Sequence, residues 1–228
     1  MAIPFKTITF SLKTPAAMHF TPAAAVLALA VAVSAIINTR GTGERQGPSA
    51  GFTTMNRNIQ SQVSGGKIYN TVYPAAFSQN SASGTRDIVN KVQSTLQTNP
   101  NECFLLQGYS QGAAATVDAV PMLTGANFNA VKGVFLIGDP DHKAGLTCNV
   151  DNNGGTTTRN VNGLSARCSA GIPSTWISKT LDVCIFGDGV CDTTNGRGID
   201  RRHLRHPNDA PTQSLGTTFG VGNLRGTS

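Results

Sequence analysis

The chain has 228 residues and a formal net charge of +6, and only 13% of its residues are charged. That length suits one domain with a core large enough to fold alone. Its arginines bunch only at Arg197, Arg201, Arg202 and Arg205, without interleaved aromatics, which reads as a solvated basic surface and argues against nucleic-acid binding.

Residues 1–35 read as a secretory leader. Lys6 and Lys13 precede an apolar run at 23–33, and Val33-Ser34-Ala35 resembles a small-residue cleavage site. The run is too short for an ordinary membrane span, so no stable membrane insertion is expected. Met18 offers a second start that would make the signal more compact, and no Asn-x-Ser/Thr site occurs, so N-glycosylation is not expected. Residues 36–228 are expected to form a single secreted domain.

Past the leader, β-rich apolar runs at 36–39, 67–72, 102–107, 132–138 and 181–186 predict strands. Helical spacing falls between them, at 48–63, 85–96 and 111–123, and Ile88, Val92 and Leu96 recur every four residues as one buried face. Strands alternating with helices imply a parallel sheet covered on both sides. Ligands bind such sheets at the carboxyl ends of the strands, which places Thr42, Ser110, Asp139 and Asp188 along one rim. Residues 141–180, rich in Gly, Thr and Asn, read as a surface excursion rather than another layer of sheet.

The strongest chemical signal is Gly108-Tyr109-Ser110-Gln111-Gly112. It follows the strand-like Cys103-Phe104-Leu105-Leu106-Gln107 and precedes Ala113-Ala114-Ala115. Strand, Gly-x-Ser-x-Gly turn and helix describe the nucleophile elbow of α/β-hydrolases. Gly47-Pro48-Ser49-Ala50-Gly51 repeats the pattern, but behind the polar Thr42-Gly43-Glu44-Arg45-Gln46, and Pro48 there reads as a helix-starting residue. Context selects Ser110 over Ser49.

A serine hydroxyl needs a base to take its proton. Of four histidines, His19 lies in the leader, and the chain order serine, acid, histidine favours His203 or His206. His142, after Gly138-Asp139-Pro140, reads as a loop-holding residue. Asp188, inside Cys184-Ile185-Phe186-Gly187-Asp188-Gly189-Val190-Cys191, is the better candidate acid; its rival Asp139 reads as a turn cap. Backbone N–H groups of Gln111 and of Thr42, in Arg40-Gly41-Thr42-Gly43-Glu44, could receive the oxyanion. Five cysteines leave one over. Cys184 and Cys191 could close a small loop, Cys148 and Cys168 could pair across the Gly/Thr/Asn-rich stretch, and Cys103 remains, reading as a buried thiol. The histidines lack ligand-like spacing, so no metal is expected, nor any organic cofactor.

Thr39-Arg40-Gly41-Thr42-Gly43-Glu44, the Ser110 elbow, Gly138-Asp139-Pro140-Asp141-His142, the cysteine-flanked Asp188 and His203-Leu204 together resemble the cutinase family of secreted serine esterases, over residues 36–219. The resemblance implies a lidless three-layer α/β/α hydrolase with a central five-stranded parallel sheet, a monomer cleaving cutin and short- to medium-chain acyl esters. It implies Ser110 as nucleophile, Asp188 as acid and His203, over His206, as base. It further implies Thr42 and Gln111 as the oxyanion hole, and Val190 and Leu204 as apolar lips of the acyl groove. Acetylxylan esterase activity, or a catalytically inactive binding protein on the same fold, are the alternatives. One departure stands out. Cutinases usually carry a cysteine upstream of the first strand to pair with the one at the Cys103 position, and this chain has none. A short segment between leader and first strand is therefore expected to be missing from the sequence.

Overall fold

A computed structural model describes residues 1–2, 34–63 and 65–225. The leader features at residues 6–33, including Met18 and His19, lie outside the described residues. Every element below belongs to the larger of two compact units, Val31–Ser228.

In chain order the elements are β1 (Ser34–Thr39), α1 (Thr53–Gln62), β2 (Lys67–Asn70), α2 (Ala82–Thr98), β3 (Cys103–Tyr109), α3 (Gln111–Ala119), α4 (Ala126–Ala130), β4 (Val131–Ile137), β5 (Asn149–Val150), β6 (Thr180–Val183) and α5 (Ala210–Arg225). The strands form one sheet in the order β2-β1-β3-β4-β6-β5, and every neighbouring pair is parallel. Among the described residues the sheet thus has six strands, not the expected five. The extra one, β5, spans two residues inside the stretch read as a surface excursion. Its backbone ties it to β6, with Asp182 N–H donating to Cys148 O at 2.9 Å and Cys184 N–H to Val150 O at 3.0 Å. No side-chain pattern announces so short a strand.

The central strands bury both faces, as a parallel sheet between helical layers requires. On one face Ile37, Phe104, Leu106, Val134 and Leu136 pack with Ile88 and Val92 of α2 and Ala115 and Val117 of α3. On the other, Ile36, Leu105, Phe135 and Ile137 pack with Met55 and Ile59 of α1 and Val221 of α5. Leu105 and Leu106 thus serve different layers, because successive strand side chains point to opposite faces.

Three further expectations differ from the structure. The first strand begins at Ser34, so the Ser34-Ala35 pair of the expected cleavage site lies inside β1, with Ala35 set between Lys67 and Phe104. Pro48 does not start a helix. Ser49 caps a 3₁₀ turn, Ala50–Phe52, that leads into α1. Cys148 and Cys168 are not joined: the first is buried and the second exposed, so their thiols point to different environments. The loop between them is tied by polar groups instead, Asn149 Nδ2 donating to Lys143 O at 2.7 Å and Arg159 O at 3.2 Å. The Cys184–Cys191 disulfide is formed, with 5.8 Å between Cα atoms.

One helix, α5, was not disclosed by the sequence pattern. Its glycines each cost about 1 kcal/mol of helix propensity against alanine, which conceals the helix. They serve packing: a Cβ on Gly216 would meet Met55 Sδ at 2.5 Å and Phe135 Cζ at 2.7 Å, so α5 lies flush on α1 and the sheet. No helix among the described residues is long and apolar enough to cross a membrane.

Gly216→Val should therefore destabilise the fold by about 1–3 kcal/mol through overpacking. A lowered urea midpoint checks this; an unchanged midpoint would contradict the close α5 contact.

Candidate active site

Ser110 stands at the junction of β3 and α3 with φ 54° and ψ −120°. A side-chain-bearing residue at such a φ is strained by about 1–3 kcal/mol and persists only where its surroundings force it. Here they do. Ser110 N–H donates to Ile137 O at 3.0 Å, while Ser110 O accepts from Ala113 N–H at 2.8 Å and Ala114 N–H at 3.2 Å. The flanking glycines are required by backbone approach: a Cβ on Gly108 would lie 2.6 Å from Ala113 Cα, and one on Gly112 would lie 2.5 Å from Arg40 O and collide with Thr39 O.

His203 opens a 3₁₀ turn, His203–Asn208, whose first N–H groups are gathered by Asp200: Arg202 and His203 N–H each donate to Oδ1 at 2.9 Å. Its Nε2 lies 2.9 Å from Ser110 Oγ, and its Nδ1 lies 3.1 and 3.0 Å from the two carboxylate oxygens of Asp188. Tyr109 secures the ring from below, stacking at 5.4 Å between centroids and donating its hydroxyl to His203 O at 3.0 Å. Asp188, fully buried, sits within the disulfide-closed loop, and its Oδ1 accepts from Val190 N–H at 2.8 Å. Burial alone pushes this carboxyl up, but hydrogen bonds from His203 and His206 and the attraction of both rings carry it well below the usual carboxylate range. Such a line can move a proton from hydroxyl to imidazole while a carboxylate steadies the resulting imidazolium.

Thr42 lies in the loop after β1, where its Oγ1 donates to Gln79 Oε1 at 3.1 Å and reaches Gln111 Oε1 at 3.4 Å. Two charged residues shape that loop. Buried Arg40 donates to Glu44 O at 2.9 Å, Thr71 O at 3.1 Å and Tyr73 O. The Glu44 carboxylate accepts from Gly41 N–H at 2.5 Å, Ser49 Oγ at 2.8 Å and Ala50 N–H at 2.7 Å. Ser49 is therefore a buried structural hydroxyl, and the second Gly-x-Ser-x-Gly is a loop brace.

Two small clefts meet at Ser110. One of about 230 Å³ is lined by Gly41, Thr42, His203 and Leu204; the other, about 280 Å³, by Gln111, Leu164 and Val190. Ile199 lines both and is half exposed. Val190 and Leu204, expected as lips of one groove, thus line different clefts. Asp139 stands apart. Its Oδ1 accepts from Asp141 N–H at 3.0 Å, and burial first, then Asp182 and Asp141, push its carboxyl well up. His142 is buried between Asp182 Oδ2, 2.6 Å from Nδ1, and Thr158 O, 3.0 Å from Nε2. Burial lowers that imidazole's pKa, but Asp182 more than restores it, leaving it raised.

Sequence reasoning weighed His206 only as an alternative base and missed its contact with Asp188, whose Oδ2 lies 3.0 Å from His206 Nε2. The available signal was the spacing of His206 from His203. Positions three apart eclipse in a 3₁₀ turn, and Pro207 disfavours a continuing α-helix. Asp188, His203 and His206 are also the group among the described residues whose donor atoms lie within 4.8 Å of one another, as metal ligands would. A cation there would displace both hydrogen bonds that the rings give to Asp188. Tyr109 and Arg40 were missed too, because His203 O, Thr71 O and Tyr73 O are backbone partners remote in sequence.

A family model described as cutinase matches residues 31–216. The curated relative Cutinase 11 of Verticillium dahliae is 30% identical over 213 residues, covering 75% of this chain and 70% of the relative. A cutinase of Hypocrea jecorina is 29% identical over 143 residues, covering 61% of this chain and 46% of that protein, so this chain's match spans about half the relative's length. The solved structure of a cutinase-like protein from Cryptococcus sp. is 63% identical with a TM-score of 0.84, covering 86% of this chain and 97% of that one.

Gly112→Ala should cost about 1–3 kcal/mol or more, since the obstacles are backbone carbonyls that cannot rotate away. Chemical denaturation reads this directly; wild-type stability would mean that α3 does not abut the end of β1.

Proposed function

The chain belongs to the cutinase family, and from that premise we propose that it is a secreted serine esterase cleaving cutin-like polyesters and short- to medium-chain acyl esters. The observation that carries this reading is the unbroken line from Ser110 Oγ through His203 to Asp188, at 2.9 and 3.0 Å.

In the proposed reaction His203 Nε2 takes the hydroxyl proton as Ser110 Oγ bonds to the ester carbonyl carbon. The carbonyl oxygen becomes an oxyanion, received by the N–H groups of Thr42 and Gln111. Each such donor is typically worth 10²–10³ in rate. His203 then gives the proton to the departing alcohol oxygen, leaving an acyl-serine. Water, relieved of a proton by the same nitrogen, attacks the acyl carbon, and His203 hands that proton to Ser110 Oγ as the acid departs. Asp188 keeps its charge throughout and holds Nδ1–H, so the other ring nitrogen stays directed at serine.

The rim around Ser110 is apolar. Leu204, Ile199 and Leu164 line the clefts and remain substantially exposed, and exposed Phe77 stands beside Gly43 next to Thr42. Apolar groups gathered around an opening suit an aliphatic ester surface better than a sugar. Each cleft is smaller than the usual pocket for a drug-sized molecule, which fits short chains lying to either side of the ester. Secretion is supported by the leader read from sequence and by the Cys184–Cys191 disulfide, a bond that persists in oxidising compartments.

A p-nitrophenyl ester panel from acetate to decanoate should peak at about C4–C8, and wild type should also clear a polyester film. Activity confined to acetate would point to an acetylxylan-type esterase. No turnover, with no stoichiometric labelling by an organophosphonate, would leave a binding protein.

Ser110→Ala should fold normally and abolish labelling. Asp188→Asn should lower kcat by about four orders of magnitude, as in other triads. Asp139→Asn should be far milder, because burial and its acidic neighbours favour a neutral carboxyl there. The reverse ranking would reassign the acid.

A further inference from the structure

Asp188 is shared between two imidazoles. His203 meets both its oxygens, and His206 Nε2 meets Oδ2 at 3.0 Å. We propose that His206 is a positioning residue for the acid: an Nε2–H donor that anchors the Asp188 carboxylate and tempers its pull on His203. The inference rests on the esterase reading above.

An ionised carboxylate only accepts, so the His206 nitrogen facing it must carry the hydrogen. The opposite nitrogen, Nδ1, is buried without a hydrogen-bond partner. Protonating it would bury an unpaired charged N–H, which costs more than leaving a lone pair there. His206 is thereby held in one tautomer. The ring is fully buried, 6.1 Å between centroids from both Tyr109 and His203. The titratable groups set against it are Asp188 from the disulfide loop, Tyr109 from β3 and His203 from its own turn. Asp209, at the end of that turn, directs its carboxylate to Arg205, Asn152 and Thr212. From α5, Gln213 Nε2 donates to His206 O at 3.1 Å and fixes the backbone.

The end of β4 leaves room for this pairing. Gly138 lacks a side chain where a Cβ would lie 2.7 Å from His203 Cε1 and 3.3 Å from His206 Nε2. Both rings therefore crowd one backbone position, and neither can swing away from Asp188 on that side.

The consequence can be read in solution. A donor on Oδ2 draws carboxylate charge away from the bond to His203, making that ring a weaker base than it would be with Asp188 to itself. Without the donor, the full charge favours the His203 imidazolium, so more of the enzyme is protonated and idle at a given pH. The acidic limb of kcat/KM must then move upward, while looser placement of Asp188 lowers kcat.

The test begins with wild-type full-length protein on p-nitrophenyl butyrate. His206→Leu should raise the acidic limb of the kcat/KM profile by about half a pH unit or more, since an opposite charge nearby favours the charged imidazole. It should also reduce kcat about tenfold or more, the scale of a misplaced catalytic group. His206→Gln sets an N–H at the reach of imidazole Nε2 and should restore both. If the limb stays put in His206→Leu, or if Gln behaves as Leu does, the proposal is overturned and His206 is packing alone. Should His206→Leu fail to fold, the Gln profile and the ring ¹⁵N shifts of wild type decide. Those shifts should identify His206 as Nε2–H at neutral pH; an Nδ1–H tautomer or an imidazolium overturns the proposal. A wild type that neither turns over nor labels with phosphonate would sink the esterase reading instead, and the ¹⁵N shifts would still decide the His206 tautomer.

Discussion

How closely the first turn of α3 can approach the end of β1 governs the whole upper rim. Gly112 lies against the carbonyls of Thr39 and Arg40, and Gly108 against the backbone of Ala113. That contact bends the chain sharply at Ser110, accounts for its positive φ, and brings the loop bearing Thr42 beside the serine. The strain of the bend is offset by hydrogen bonds to Ile137 and within α3, so the hydroxyl is presented by rigid backbone rather than by a mobile loop. Preorganisation of this kind lets an active site act without rearranging at the moment of reaction.

Around that bend, buried and half-buried charge is matched group by group. Arg40 is satisfied by three carbonyls, Glu44 by Gly41, Ser49 and Ala50, and Asp188 by Val190, His203 and His206. An isolated buried charge would cost far more than a surface ion pair returns, so each of these residues survives only because its partners are in place. The disulfide adds a covalent limit to the Asp188 loop. It closes a short ring, worth about 2–3 kcal/mol in unfolded-state entropy. The acid is therefore held by chain connectivity on one side and by two imidazoles on the other.

Legibility in the sequence followed the range of the physics. Strands β1, β3 and β4 and helices α2 and α3 were visible because their apolar periodicity is local. α5 was hidden because its glycines, chosen for contact with Met55 and Ile59, erase the propensity that would announce it. The two-residue β5 has no periodicity to read. A Cys148–Cys168 bridge looked plausible along the chain, but one thiol turns inward and the other outward, a matter of side-chain direction that spacing does not encode.

The sequence by itself determined the parallel α/β architecture and singled out the strand–turn–helix context of Ser110 over that of Ser49, since each depends on neighbours within a few residues. Tertiary structure alone decided that His206 meets Asp188 beside His203, and that Ile199 stands between two clefts. It also decided that Arg40 braces the Thr42 loop against Thr71 and Tyr73. Those outcomes depend on distances between segments tens of residues apart, such as Arg40 and Thr71, which no local pattern records.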